Sequence, residues 1–170
     1  MIIRKFKNED SVELAEVIAK TLRTTNSKDY SSEYIENDIS FLTADKLIER
    51  SNWTNLYVVC EDEKIVGCGA IGSYWGKEDE SSLFTIFVLP EYQGQGIGRK
   101  IMETLEQDDY FFRAKRIEIP ASITAVKFYK SLAMIIKMVL MKLMMNNYID
   151  LKNLDKFYSV FYSFKTDNIK

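Results

Sequence analysis

The segment VLPEYQGQGIGRKIMETLE, residues 88–106, places Gly94, Gly96 and Gly98 at alternate positions. A β-rich run ends just before these glycines, and apolar residues recur at helical spacing just after them. Bare backbone at a strand-to-helix junction lets successive N–H groups point at one ligand, and the helix N-terminus adds a favourable field for an anion. The segment therefore predicts a β–loop–α unit whose loop binds an anion, typically a phosphate.

Two common phosphate-binding loops do not fit this segment. A Walker loop requires Gly-Lys-Ser/Thr, whereas Gly98 is followed by Arg99 and Lys100. A dinucleotide-binding fingerprint requires a small residue at its sixth position, where Arg99 lies. A third pattern, Q/R-x-x-G-x-G/A, is matched by Gln93, Gly96 and Gly98. A glycine-rich turn without a ligand is the alternative interpretation.

Length and charge limit the class of protein. The 170 residues, 46% of them hydrophobic, suit one domain with a real core. The net charge of -2 comes from interspersed residues, so we expect no nucleic acid and no membrane as partner. The apolar run at residues 134–145 is too short to span a bilayer, and the first residues lack the charged region followed by an apolar region that a secretory signal has, so we expect a cytoplasmic protein.

Histidine is absent, which excludes imidazole bases, Ser-His or Cys-His nucleophile pairs and HExxH zinc sites. Acid–base chemistry therefore falls to carboxylates, lysines, tyrosines or water. Cys60 and Cys68 are too few and too irregularly spaced for a disulfide framework or a metal site, so we expect buried thiols and no metal.

The predicted element order is strand, two helices, three strands, then helix, strand and helix. Asp10 with Glu13 resembles a capping box for the first helix, and Ser32 is the expected cap of the second. The other predicted elements are strands at 2–6, 55–60, 64–71, 82–89 and 116–119, a helix at 96–107 and a last helix capped by Ser122. This order predicts an α/β fold, a mixed sheet with helices on its faces.

With these motifs in place, the chain resembles the GNAT family of acetyl-CoA-dependent N-acetyltransferases. The segments FVLPEYQGQGIG, RKIMETLE, RIEI and ASITAVKFYKSL stand in the family's order, and the resemblance covers roughly residues 2–132. It implies a central, mostly antiparallel sheet flanked by helices, with acetyl-CoA as cosubstrate.

The resemblance also implies a set of cofactor-binding residues. The loop would hold the pyrophosphate of coenzyme A, the preceding strand would pair with its pantetheine arm, and the last helix would flank its thiol. Ser122 stands where the family often has an asparagine. The implied residues are Phe87, Val88, Gln93, Gly94, Gln95, Gly96, Ile97, Gly98, Arg99, Lys100, Ser122 and Phe128.

Two catalytic residues are predicted on the same basis. Tyr129 matches the family's tyrosine that protonates the departing sulfur. Glu80 is the candidate base by strand parity, although the family's catalytic glutamate aligns with Ser82, and a water chain is the alternative. Backbone N–H near Val88 is the expected oxyanion donor.

The family shapes its acceptor side from the segment at residues 23–50. Its charged residues here are Asp29, Glu33, Glu36, Asp38, Asp45 and Glu49 against Arg23, Lys28, Lys46 and Arg50. This mild acidity suits a cationic amine, and a solvated helix face is the alternative.

The chain departs from the family after residue 132. The family expects a glycine and an aromatic followed by two closing strands, but five of the seven methionines crowd into residues 134–145. In the reading frame that starts at the third base of each codon, the last base of a methionine codon and the first two bases of the next codon encode Asp, Gly or Glu. With A/T-rich third bases elsewhere, this shifted frame can read GYDYKNGVNEIDDEQLYRFEKFR. We therefore divide the chain into a 1–132 acetyltransferase core and an atypical 133–170 segment, and hypothesise a single-base deletion near the codons of Leu132 and Ala133.

The predicted function is transfer of acetyl from acetyl-CoA to a primary amine by direct attack, with activity impaired if the closing strands are lost. The expected acceptor is an amine on a small molecule or a peptide. The sequence is compatible with a homodimer but does not predict the oligomeric state. A coenzyme A binding or sensing module without catalysis is the alternative function.

Overall fold

The computed structural model describes residues 1–74, 76–125 and 128–129. One sheet runs in the order β1-β2-β3-β4-β5, in which β4 and β5 are parallel and the other pairs antiparallel. The strands are β1 Ile2–Lys5, β2 Thr54–Glu61, β3 Lys64–Tyr74, β4 Lys77–Val88 and β5 Arg116–Glu118. This mixed, mostly antiparallel sheet confirms the predicted fold class. The atypical 133–170 segment lies outside the described residues.

Helices lie between and beside the strands. They are α1 Ser11–Thr25, α2 Ser32–Ser40, α3 Ala44–Ser51, α4 Ile97–Leu105 and α5 Asp109–Arg113, with short 3-10 turns at Asn8–Asp10, Asn26–Lys28, Pro90–Tyr92 and Ile123–Ala125. Helix α5 has no counterpart among the predicted elements, and Asp108 caps it by accepting a 2.9 Å hydrogen bond from the Tyr110 N–H. Among the described residues, no helix combines the length and apolarity needed to cross a membrane.

The core contains the apolar faces that the helical periodicity predicted. Leu14, Val17, Ile18 and Leu22 of α1 and Ile97, Ile101 and Leu105 of α4 are all buried. Helix α4 packs directly on the backbone of β3, since a Cβ added at Gly69 would lie 2.3 Å from Ile101 Cγ2. This close packing fixes the start of α4, and with it the glycine loop, against the sheet.

Two predicted caps differ from those in the structure. Asp10 is the N-cap residue of α1, as predicted, but its side chain makes no capping hydrogen bond to that helix. Its carboxylate accepts from Lys7 N at 2.8 Å and pairs with Arg4 of β1 at 2.6 Å, which holds the pKa of Asp10 below its usual range. Helix α2 is capped by Ser31, one residue before the predicted serine, through a 3.2 Å bond from Tyr34 N.

Two further predictions concern the central hairpins. Cys60 and Cys68 are buried free thiols, as expected. Strand β4 begins at Lys77, five residues before the predicted start, because Lys77 pairs with Tyr74 of β3 and Glu80 pairs with Arg116 of β5.

Candidate functional site

The glycine loop ends in an uncapped helix N-terminus. Gly94 and Gly96 have φ angles of +77° and +82°, a left-handed conformation that favours glycine. Gly96 precedes α4 without any side-chain cap, and the Lys100 N–H donates to the Gly96 carbonyl at 3.1 Å. The N–H groups of residues 97–99 therefore have no acceptor within the helix and are available to an anion.

Polar side chains brace this loop against its surroundings. Gln93 Nε2 donates to the Val88 carbonyl at 2.9 Å and to Thr25 Oγ1 at 3.1 Å. Gln95 Nε2 donates to the Glu91 carbonyl at 3.1 Å, and the Glu91 carboxylate pairs with Lys20 of α1 at 2.6 Å. The loop is thus tied both to the end of β4 and to α1.

A cavity of about 500 Å³ opens against the loop, and we call it the loop pocket. Ten of the predicted cofactor residues line it, namely Phe87, Val88, Gln93, Gly94, Gly96, Ile97, Gly98, Arg99, Ser122 and Phe128. Gln95 and Lys100 do not line it. The remaining lining residues come from α1 and the following turn, from Ile86 of β4, from Tyr92, and from the 122–129 region.

Gly98 serves packing rather than conformation. A Cβ added there would lie 2.8 Å from Phe128 Cζ. The Phe128 ring therefore closes one end of the loop pocket against the first turn of α4. Ser122 also has a local role, because its Oγ accepts from Ala125 N at 3.2 Å at the start of the 3-10 turn Ile123–Ala125.

A second cavity of about 290 Å³, the helix pocket, lies between β4 and the helices of the 23–50 segment. Its walls include Tyr30, Tyr34, Asp38, Arg50 and residues 83–87 of β4. Six residues line both pockets: Asn26, Ile86, Phe87, Ser122, Ala125 and Tyr129. The two cavities therefore meet beside Phe87 and Tyr129.

Strand β4 bulges where the pockets meet. Gly69 of β3 faces two residues, Thr85 and Ile86, and Thr85 adopts a φ of +54°. The Cys68 thiol donates to the Thr85 carbonyl at 3.0 Å, and burial raises the pKa of Cys68 to about 12, so this donor keeps its proton. Arg50 donates to the Thr85 hydroxyl. This brace was not predicted from the sequence, because nothing in a strand sequence marks a threonine with positive φ.

Tyr129 lies at the junction of the pockets and is buried, with 7% of its surface exposed. Burial raises its pKa well above the ordinary value, so the phenol is neutral and keeps its proton at physiological pH. A neutral buried phenol can donate a proton to a nearby anion.

Glu80, the predicted base, is not brought to this junction. Its carboxylate binds Lys77 at 2.8 Å and Arg116 at 2.6 Å, and both cations hold the pKa of Glu80 below its usual range. It lines neither pocket. Ser82, at the aligned family position, is buried and donates to the Glu118 carbonyl at 3.3 Å.

The charged residues of the 23–50 segment divide into two groups. Arg23 pairs with Glu36 at 2.7 Å and Lys46 with Glu49 at 2.7 Å, all four on solvated helix faces. Among the charged residues named in the sequence analysis, only Asp38 and Arg50 line the helix pocket. The pocket therefore carries one charge of each sign, not the net acidity that the sequence predicted.

A comparison with known protein families identifies the family of the chain. The model of the Acetyltransferase (GNAT) family matches residues 17–134, which is more than half of the chain. The chain belongs to the GNAT family of acetyltransferases. The GNAT match includes the loop, both pockets and Tyr129. No curated protein sequence matches the chain significantly.

Solved GNAT structures share the fold. The PaiA N-acetyltransferase of Thermoplasma acidophilum, in complex with coenzyme A, is 26% identical, with a TM-score of 0.56 over 62% of this chain and 69% of that one. A GNAT acetyltransferase of Brucella melitensis, in complex with acetyl-CoA, is 28% identical, with a TM-score of 0.50 over 62% and 66%. A GCN5-related N-acetyltransferase of Rhodopseudomonas palustris is 20% identical, with a TM-score of 0.65 over 76% and 78%.

Proposed function

We propose that this GNAT protein transfers the acetyl group of acetyl-CoA to a primary amine by direct attack. The observation that carries the proposal is the meeting of the two pockets beside Phe87 and Tyr129. One pocket has the bare amides and positive charge that a pyrophosphate requires. The other offers a separate approach to the same point for an acceptor. Two of the solved relatives contain coenzyme A or acetyl-CoA, which supports this cosubstrate.

The residues of the loop pocket fit coenzyme A. The free N–H groups of residues 97–99 would bind the pyrophosphate, with Arg99 adding charge. The end of β4 at Phe87 and Val88 would lie along the pantetheine arm, and Phe128 beside it. This arrangement would hold the thioester at the pocket junction.

In the proposed reaction the amine nitrogen forms a bond to the acetyl carbon while the bond from that carbon to sulfur breaks. The departing thiolate takes a proton from Tyr129, whose raised pKa keeps that proton available. Backbone N–H at the end of β4 stabilises the oxyanion. The amine proton leaves through a chain of water molecules, because the ion pairs of Glu80 favour a structural role for that carboxylate.

We further propose that the chain consists of a 1–132 acetyltransferase core and a frameshifted 133–170 segment. The family match ends at residue 134, close to the proposed boundary. DNA sequencing tests this: an intact frame in close relatives through the methionine-rich run would contradict it. Frame restoration is expected to raise turnover without changing coenzyme A affinity.

The test of function combines binding and turnover. Calorimetry should detect coenzyme A binding, and release of free thiol should depend on an added amine from a panel of amino acids, peptides, polyamines and aminoglycosides. Binding without thiol release for any amine, in this chain and in the frame-restored chain, would favour the sensing module instead.

A further inference from the structure

Two charges in the helix pocket have no ion-pair partner among the residues that the structure describes. Asp38 of α2 and Arg50 of α3 both line it and are partly buried. Within the described part of the chain, neither forms a salt bridge, and they do not pair with one another, whereas Arg23 and Lys46 in the same segment are paired with glutamates. Burial lowers the pKa of Arg50 and raises that of Asp38, as expected for charges removed from water without a counter-ion.

Arg50 is held in position but keeps capacity for a ligand. One nitrogen, Nη1, donates to the Thr85 hydroxyl, and the Arg50 carbonyl accepts from Thr54 Oγ1 at 2.9 Å. A guanidinium has five N–H donors in a rigid fork that matches a carboxylate. An uncompensated, partly desolvated guanidinium is unfavourable, so an anionic ligand at this position would be bound with a gain in free energy.

We propose that the acceptor is an amino acid, a small amine that carries its own carboxylate, with Arg50 binding the carboxylate and Asp38 receiving the ammonium group. This inference rests on the acetyl transfer proposed above. A volume of about 290 Å³ suits a small molecule of this size. Polyamines and aminoglycosides have no carboxylate for Arg50, and a peptide N-terminus has none beside its amine.

Arg50 also braces the β4 bulge, so its removal has two separable consequences. Loss of the brace alone would lower turnover for every amine to the same extent. Loss of carboxylate binding would lower kcat/KM only for acceptors that carry a carboxylate. The ratio between matched acceptors therefore distinguishes recognition from a purely structural role.

The experiment uses the full chain and the standard α-amino acids, each compared with its carboxamide. For the best pair, the wild-type protein should prefer the acid by at least about 10-fold in kcat/KM. Arg50→Gln should lower kcat/KM for the acid by about 30-fold, the value of a charge-assisted bond pair, and for the amide by less than about 3-fold. Arg23→Gln, an exposed arginine of the same segment, should leave both unchanged.

Two further variants keep the test decisive if Arg50→Gln does not fold. Arg50→Lys retains the charge but not the fork and should lose part of the preference for the acid. Asp38→Asn should raise KM for both members of the pair, because both carry the ammonium group. Equal use of acid and amide by the wild-type protein, or equal loss for both in Arg50→Gln, would overturn the proposal.

The outcome is separable from that of the proposed function. Failure of coenzyme A to bind in calorimetry, or absence of thiol release with every amine, would overturn acetyl transfer itself and the acceptor class with it. Transfer to amines without regard to a carboxylate would overturn the acceptor class alone.

Discussion

The loop pocket and the helix pocket meet at the end of β4 but differ in the chemical groups that they offer to a ligand. The loop pocket presents the backbone N–H groups of residues 97–99 at the start of α4, which belong to one continuous stretch of chain. The helix pocket takes its charge from side chains on separate elements, Asp38 of α2 and Arg50 of α3. This difference suits the two proposed ligands. Backbone N–H groups can bind the pyrophosphate that every coenzyme A molecule carries, whereas side chains can select one acceptor among many.

The largest expected effect tests the junction between the pockets. Tyr129→Phe removes the proposed acid but keeps the ring, so kcat should fall by about 100-fold while coenzyme A affinity stays within about 2-fold. Tyr110→Phe on α5, outside both pockets, is the matched control. Stopped assays of thiol release and calorimetry measure the two quantities; an unchanged kcat in Tyr129→Phe would remove the acid.

The next effect tests the backbone geometry of the loop pocket. Gly96→Val places a β-branched residue at a φ of +82°, so the loop should leave its binding conformation and coenzyme A affinity should fall by about 30-fold, equivalent to about 2 kcal/mol. Gly76 has a φ of +78° in the turn before β4, with open space around it. Gly76→Val should therefore lose similar stability but no affinity, and equal weakening in both variants would contradict a specific role for Gly96.

A smaller effect separates two neighbouring cations. Arg99 lines the loop pocket and Lys100 does not. Arg99→Gln should weaken coenzyme A binding by about 5-fold at low salt, since an exposed charge contributes up to about 1 kcal/mol, and the loss should shrink as salt is added. Lys100→Gln should change affinity by less than about 2-fold. The opposite order in calorimetry would mean that the pyrophosphate lies on the other side of α4.

The smallest expected effect is an absence of change with pH. Burial raises the pKa of Tyr129 above its ordinary value, so the proposed acid keeps its proton through pH 10, where an exposed tyrosine half-ionises. With saturating amine, the kcat of the wild-type protein and that of Tyr129→Phe should depend on pH in the same way near pH 10. A fall in the kcat of the wild-type protein that Tyr129→Phe does not show is therefore not expected. Such a fall would show that this phenol titrates normally.

The sequence predicted most elements because their signals are local. The apolar periodicity of α1 and α4 placed Ile18 and Ile101 in the core, and two β-rich runs placed the strands β2 and β3. The failures had distant causes. The carboxylate of Asp10 pairs with Arg4 of β1 and does not cap α1. Strand β4 extends to Lys77 because its first residues pair with β3 and, through Glu80 and Arg116, with β5.

The sequence by itself determined the anion-binding loop, since residues 93–99 are continuous and a helix N-terminus orients its own amides. Only the tertiary structure decided which charges enter the helix pocket, because Asp38, Arg50 and Thr85 are far apart in the chain and reach one pocket through the packing of α2 and α3 on α1 and of α3 on β2. The physical reason is range: backbone hydrogen bonding is set within a few residues, whereas the pairing or isolation of a side-chain charge depends on every element that surrounds it.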